Sequence, residues 1–233
     1  MISITPFASS SRGNCYGLTD GTTPLLLEAG VPVRKLRRLA TISKIAGCLV
    51  THNHGDHAVA VKDLTRAGIS CYMSAGTAEA IGVSNHRVRP VAALKQFTIG
   101  SWKILPFEAV HDAAEPLSFL LQSGQDKVLF ATDTAYIKHR FKGLTQIMIE
   151  CNYHYPSLIK SIESGYVTIS QKNRLLKSHL SLDNVVEFLK ANDLSAVQGI
   201  WLLHLSDSNS DEQHFKKTIQ ELTGKPVTVC KEY

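Results

Sequence analysis

No stretch of about 18 consecutive apolar residues occurs in the 233-residue sequence, so no segment is long enough to cross a bilayer as a helix. There is no C-x-x-C pair. The five cysteines (Cys15, Cys48, Cys71, Cys151, Cys230) are odd in number and widely spaced. That pattern argues against both a zinc ribbon and a disulfide framework, and for a reducing compartment. Internal repeats, low-complexity tracts and Gly/Pro/Ser-rich linkers are also missing, so one domain spanning 1–233 is expected. Charge of one sign is in short supply: 25 Lys and Arg stand against 20 Asp and Glu, a net +5. So mild an excess suits an anionic partner without identifying one. The opening MISITPFASSSRGN lacks the basic start and long apolar core of a secretory signal, so a cytoplasmic location is expected.

Short apolar runs that stop at a polar residue are what the sequence does have. Strands are expected at Pro24–Glu28, Ile45–Val50, Ile69–Met73, Trp102–Val110, Gln146–Glu150, Gly199–Leu203 and Val227–Cys230. Leu117–Leu121 and Val128–Ala131 flank Ser123-Gly124-Gln125-Asp126 and read as a hairpin. Helices are expected over Val31–Ile42, from Ala58 to Gly68, over Ser74–Ile81, over Pro156–Ser164, after Ser181, and over Asp211–Leu222. Ser181 or Asp183 would cap the fifth, and Gly224 would end the last. An α/β fold with sheets inside and helices outside follows.

The chemistry concentrates at THNHGDH, residues 51–57, between an expected strand and an expected helix. His52 and His54 share a side of an extended stretch, while Gly55 permits a tight turn before Asp56 and His57. Imidazole and carboxylate are divalent-metal ligands. Neighbouring Asp56 and His57 cannot both point where His52 and His54 point, so two ions fit the motif better than one. Further candidates stand at expected strand ends: His111 after FEAV, Asp133 after FAT and His204 after WLL. His179 in KSHLS precedes an expected helix. His86, His139, His154 and His214 read as ordinary surface or loop residues.

The order His52-x-His54-x-Asp56-His57, then His111, Asp133 and His204, resembles the metallo-β-lactamase superfamily. That resemblance implies a four-layer αββα sandwich with a dinuclear site. It puts His52, His54 and His111 on one metal, Asp56, His57 and His204 on the second, and Asp133 between them. Zinc is the expected ion, with manganese or iron also suited to these ligands. True lactamases of the superfamily carry a cysteine at the second metal. Here ATDT supplies Asp133 instead, as in the hydrolase and phosphodiesterase branches. SSSRGNCY (residues 9–16), ECNY (150–153) and SHLS (178–181) resemble the corresponding segments of short YycJ-like (VicX-like) metallo-hydrolases. By analogy with PhnP-like and ribonuclease Z-like relatives, His179 is implied to contact the scissile phosphate or to act as general acid, with Asp56 beside it among the catalytic residues.

Some positions depart from the family pattern. Glu28 stands where members usually carry Asp, and Ser178 replaces the usual Gly. The chain lacks the large insert of ribonuclease J-type nucleases and the Gly/Pro-rich arm of ribonuclease Z. The expected function is a two-metal phosphodiesterase acting on nucleic acid, exonuclease-like, with no membrane partner. Lys172, Arg174, Lys177 and Asn152 are the candidate substrate-binding residues, and the basic run Lys138–Lys142 is a second candidate phosphate track. The competing expectation is hydrolysis of a small substrate, either a cyclic phosphodiester or a glyoxalase II-like thioester. A non-catalytic flavodiiron-like module is disfavoured by the complete histidine set.

Overall fold

A computed structural model describes residues 2–231. These fall into two compact units, one covering 2–108, 113–126 and 231, the other 109–112 and 127–230.

The first unit is built on a six-stranded sheet in chain order. It comprises β1 (Ser3–Ser10), β2 (Gly13–Thr19), β3 (Leu25–Leu27), β4 (Gly47–Leu49), β5 (Cys71–Met73) and β6 (Val88–Pro90). β1, β2 and β3 pair antiparallel, and β3 to β6 run parallel. The parallel part requires crossovers, which α1 (Val33–Leu39), the pair α2 (Gly55–Ala58) and α3 (Val61–Arg66), and α4 (Ala75–Ile81) provide. Leu25, Leu26 and Leu27 are fully buried, each contributing about 1.5–3 kcal/mol of apolar burial. Strand and helix patterns thus account for the core around Leu26, Leu36, Cys48, Val61, Leu64 and Met73. The same unit holds an antiparallel set of β7 (Phe97–Ile99), β8 (Trp102–Glu108) and β9 (Leu117–Ser123). The buried Trp102 indole donates to the Thr23 carbonyl at 2.9 Å, which ties β8 to the turn before β3.

The second unit is a parallel sheet of β10 (Asp126–Ala131), β11 (Gln146–Glu150), β12 (Gly199–Leu203) and β13 (Val227–Val229). Crossovers are made by α5 (Tyr155–Glu163), α6 (Ile169–Ser178) and α7 (Leu182–Lys190) between β11 and β12, and by α8 (Glu212–Thr223) after β12. The buried centres of β10, β11 and β12 (128–131, 147–149 and 200–203) are apolar, as a sheet covered on both faces requires. Their register sets Ala131 beside Ile149 and Ile149 beside Leu202. The residues that follow, Asp133, Glu150 and His204, therefore emerge at one carboxyl edge, where ligands of parallel sheets gather.

Most expected elements form with shifts of one or two residues at their ends. The helix expected from Ala58 is instead two short helices, α2 and α3, and α2 already starts at Gly55. The strand from Trp102 ends at Glu108, short of Val110. α6, β1 and β2 lie outside the elements expected from the sequence. Ser181 caps α7 by accepting from the Asn184 N–H, and Gly224 ends α8 in the left-handed region. Among the described residues no helix is long and apolar enough to cross a membrane.

Candidate active site

In the first unit the loop after β4 carries THNHGDH into α2. The segment after β3 clamps it: the Ala29 N–H donates to the His57 carbonyl and the Ala60 N–H to the Ala29 carbonyl, both at 2.8 Å. Gly30 is needed at this point, because a Cβ there would lie 1.7 Å from the Asp56 carbonyl oxygen. The loop thus rests directly on backbone.

His52 and His57 each have Nδ1 turned toward a neighbouring polar side chain. His52 Nδ1 lies 2.8 Å from Thr51 Oγ1, which leaves Nε2 facing His54 Nδ1 at 3.1 Å. His57 Nδ1 lies 3.6 Å from Glu28 Oε1, and its Nε2 lies 3.2 Å from Asp56 Oδ2. Asn14 adds an amide nitrogen 3.1 Å from His57 Nε2 and 3.4 Å from Asp56 Oδ2. The Tyr16 hydroxyl donates to Asn14 Oδ1 at 3.1 Å and is 2.7 Å from Ser9 Oγ. These three polar side chains explain the SSSRGNCY segment: it forms the β1–β2 hairpin end behind the histidines. Glu28 is fully buried. Burial drives its carboxyl pKa up more than His57 and Thr51 pull it down.

In the second unit His111, Asp133, Glu150, His179 and His204 come together. His111 Nδ1 lies 2.8 Å from the Ser178 carbonyl oxygen, which fixes the proton on that nitrogen, and Nε2 lies 3.6 Å from Asp133 Oδ2. His204 Nε2 lies 3.9 Å from the other oxygen, Asp133 Oδ1. Asp133 therefore presents one oxygen to each of two histidines. Thr132 Oγ1 donates to Oδ1 at 2.9 Å. Burial pushes the His111 pKa down despite the attraction of Asp133, which keeps its imidazole neutral and able to donate a lone pair.

Glu150 organises this group, a role that reading the sequence missed. It is fully buried at the end of β11 and accepts the Thr134 N–H at 3.2 Å and the Leu180 N–H at 3.1 Å on Oε2. Its Oε1 takes His179 Nδ1 at 2.6 Å and lies 3.5 Å from His204 Nδ1. Burial works to raise the Glu150 pKa, but His179 and these hydrogen bonds outweigh it, so the carboxylate is held below the usual range. Reciprocally, burial opposes the His179 charge, but Glu150 and Asp133 win and its pKa is raised. The signal available in the sequence was the position alone: a glutamate ending an apolar strand, as Asp133 and His204 end theirs.

Of the four expected substrate-binding residues, Asn152 is buried and donates to the His204 carbonyl at 2.8 Å, with the same nitrogen 3.1 Å from His204 Nδ1. It holds His204 from behind. Arg174 Nε donates to Asp112 Oδ2 at 2.6 Å. Lys172 lies 5.5 Å from the centre of the Tyr155 ring, and Lys177 is exposed on α6. Among the described residues, three of the five non-glycine positions with positive φ are Glu28 (68°), Asp133 (48°) and His204 (51°), each at the exit of a strand. Such backbone costs on the order of 1–3 kcal/mol per residue and is retained where surroundings over-determine it.

The donor spacing fits divalent ions. Four donors about 2.1 Å from one zinc ion sit roughly 3.4 Å from one another. The pairs His52–His54 (3.1 Å), Asp56–His57 (3.2 Å), His111–Asp133 (3.6 Å) and His204–Asp133 (3.9 Å) bracket that spacing. The second nitrogens rest on Thr51, Glu28, Ser178, Asn152 and Glu150, the outer contacts that orient metal-binding imidazoles.

The class follows from comparison with known sequences. The beta-lactamase superfamily domain matches residues 23–204, and the chain belongs to this family; it is a hydrolase with candidate metal-binding residues. Among its relatives, the exodeoxyribonuclease WalJ of Streptococcus pneumoniae is 28% identical over 222 residues, covering 87% of this chain and 81% of that one. The exodeoxyribonuclease YycJ of Bacillus anthracis is 25% identical over 235 residues, covering 92% and 86%. The crystal structure of the metallo-β-lactamase fold protein YhfI from Bacillus subtilis aligns with a TM-score of 0.75 at 14% identity, over 99% of this chain and 97% of that one. The α/β fold class expected from the motif is the fold of that neighbour.

Proposed function

We propose that this chain is a metal-dependent phosphodiesterase that removes nucleotides from nucleic acid, exonuclease-like, using two divalent ions. The observation that carries the reading is Asp133, whose two oxygens face two different histidines, as a carboxylate shared between two ions would need. The relatives named as exodeoxyribonucleases support the substrate class. By the order of the motif, His52, His54 and His111 belong to one ion and Asp56, His57 and His204 to the other, with zinc the best-suited metal and manganese or iron alternatives. Bound there, the ions supply hydroxide near neutral pH and a grip on phosphoryl oxygens.

The chain's own groups do the rest. Glu150 accepts from His179 Nδ1, fixes the ring and favours its cationic form. The opposite nitrogen, Nε2, is then the proton donor to the leaving alkoxide. Asn152 and Glu150 set the orientation of His204. Arg174 acts through Asp112, the neighbour of His111, while Lys172 and Lys177 supply positive charge on α6 for phosphates. All five cysteines are free and buried, in keeping with a cytoplasmic setting.

The test is hydrolysis of bis-p-nitrophenyl phosphate and of end-labelled DNA and RNA, single- and double-stranded, with Zn or Mn added. Asp133→Ala should lower kcat/KM by about a thousandfold or more. Activity that survives this change, or that is indifferent to chelation, overturns the two-metal reading.

A further inference from the structure

The second unit contains a cavity of about 220 Å³ between α7 and the loop that follows Asp133. The loop arches over the helix and is pinned at both ends. Asn184 Nδ2 donates to the Ala135 carbonyl at 3.2 Å, and the Phe141 N–H donates to Asn192 Oδ1 at 2.7 Å. Thr134 Oγ1 donates to the Tyr136 carbonyl at 2.9 Å, and Asn192 Nδ2 to the Phe188 carbonyl at 2.7 Å, so both walls are braced. A space held open this way is part of the folded state and not a gap between loose segments.

Its lining has two characters. Leu180, Ile137 and Phe188 are buried and make an apolar floor. Tyr136, 60% exposed, stands at the rim with Lys138 and Arg140, both exposed and neither in an ion pair among the described residues. Glu187, the one acid in the lining, is matched by Lys190 at 3.3 Å. Apolar floor, aromatic wall, amides and cationic rim are together the complement of a flat heteroaromatic ring joined to phosphates. The volume is below the roughly 300–1,000 Å³ of pockets for drug-sized ligands, so it suits one ring system. Its place in the chain links it to the chemistry. The arch begins directly after Asp133, and Leu180 directly follows His179 and donates its N–H to Glu150.

We propose that this cavity receives one unpaired nucleobase of a single-stranded substrate, stacked on Tyr136, with the adjoining phosphates on Lys138 and Arg140. The proposal rests on the nuclease reading above and names its substrate: a paired base cannot enter, so the strand end must be unpaired.

The experiment measures equilibrium binding of a fluorescently labelled single-stranded oligonucleotide to the metal-loaded protein under chelator-free, non-cleaving conditions, beside the same oligonucleotide with abasic sites and the same sequence as a blunt duplex. Wild type should prefer the base-containing single strand over both by roughly tenfold or more. Tyr136→Ala should abolish the preference over the abasic strand, and Tyr136→Phe should keep it. Ala191→Trp, which fills the cavity from α7, should act like Tyr136→Ala. Lys138→Ala with Arg140→Ala should weaken base-containing and abasic strands alike and reduce the salt dependence of binding. If wild type binds and cuts oligonucleotides but Tyr136→Ala and Ala191→Trp keep the full preference, the cavity proposal alone falls. Equal binding of the blunt duplex, or equal competition by poly-glutamate, also overturns it. If wild type binds no oligonucleotide at all, the nuclease reading falls with it.

Discussion

Glu28 and Glu150 occupy matching situations in the two units, and their carboxyls are shifted in opposite directions. Both are fully buried at the exit of a strand, and both face a histidine Nδ1. Glu28 accepts a single backbone N–H, from Thr51 at 3.3 Å, and stands 3.6 Å from His57. Glu150 accepts two, from Thr134 and Leu180, and stands 2.6 Å from His179 with His204 also close. The first carboxyl is pushed toward its neutral form and the second is held ionised. Burial is common to both, so the difference comes from the number and closeness of donors. The same buried side chain is thus disfavoured as a charge in one unit and favoured as one in the other.

The sharpest way to break this comparison is to replace both carboxyls by amides. Glu150→Gln should lower kcat by about 10- to 100-fold, because His179 loses its anionic partner and His204 its second support. Glu28→Gln should cost less than about threefold, since the amide resembles the carboxyl already favoured there. Equal losses in steady-state hydrolysis of bis-p-nitrophenyl phosphate would erase the distinction. A smaller effect sharpens the second unit alone. Asn152→Ala should weaken metal retention about tenfold through His204, read as the chelator concentration that strips the protein, with little change in KM. A substrate-contacting Asn152 would raise KM instead. The smallest effect compares helix caps. Thr168→Ala in α6 and Ser74→Ala in α4 each remove a side-chain acceptor at an N-terminus and should each cost about 1 kcal/mol in denaturant unfolding. Only the Thr168 change should also reduce turnover, because α6 ends at His179.

The two clusters also differ in how far they could be read from the sequence. His52, His54, Asp56 and His57 are contiguous, so one loop and one helix start assemble them and the motif is visible in print. Asp133, Glu150, His179 and His204 are up to 71 positions apart (204 − 133) and meet because parallel strands set the exits of β10, β11 and β12 in register and α6 delivers His179 to them. The His and Asp among them stand at expected strand ends or just before an expected helix, and the family resemblance supplies their roles. Glu150 lies in the ECNY segment, yet its role is not legible there, since its work consists of long-range hydrogen bonds. β1 and β2 were not expected because their apolar residues alternate with Ser, Thr, Gly and Asn that bury for hydrogen bonding, such as Ser9 and Asn14. α6 buries only Ser178 and so shows no apolar stripe. Its one local signal was the capping box of Thr168 and Gln171. The break between α2 and α3 falls at Val59 and Ala60, where the Ala60 N–H is taken by Ala29. A tertiary hydrogen bond of that kind leaves no trace in local propensity.

Left-handed backbone at Glu28, Asp133 and His204 has a consequence for the history and engineering of the protein. Glycine adopts that geometry without penalty, so a library screened only for survival of heating would drift toward glycine at these sites. A library screened for turnover would hold all three unchanged. Consensus-style stabilisation should therefore begin on the outer helices and leave the three strand exits alone.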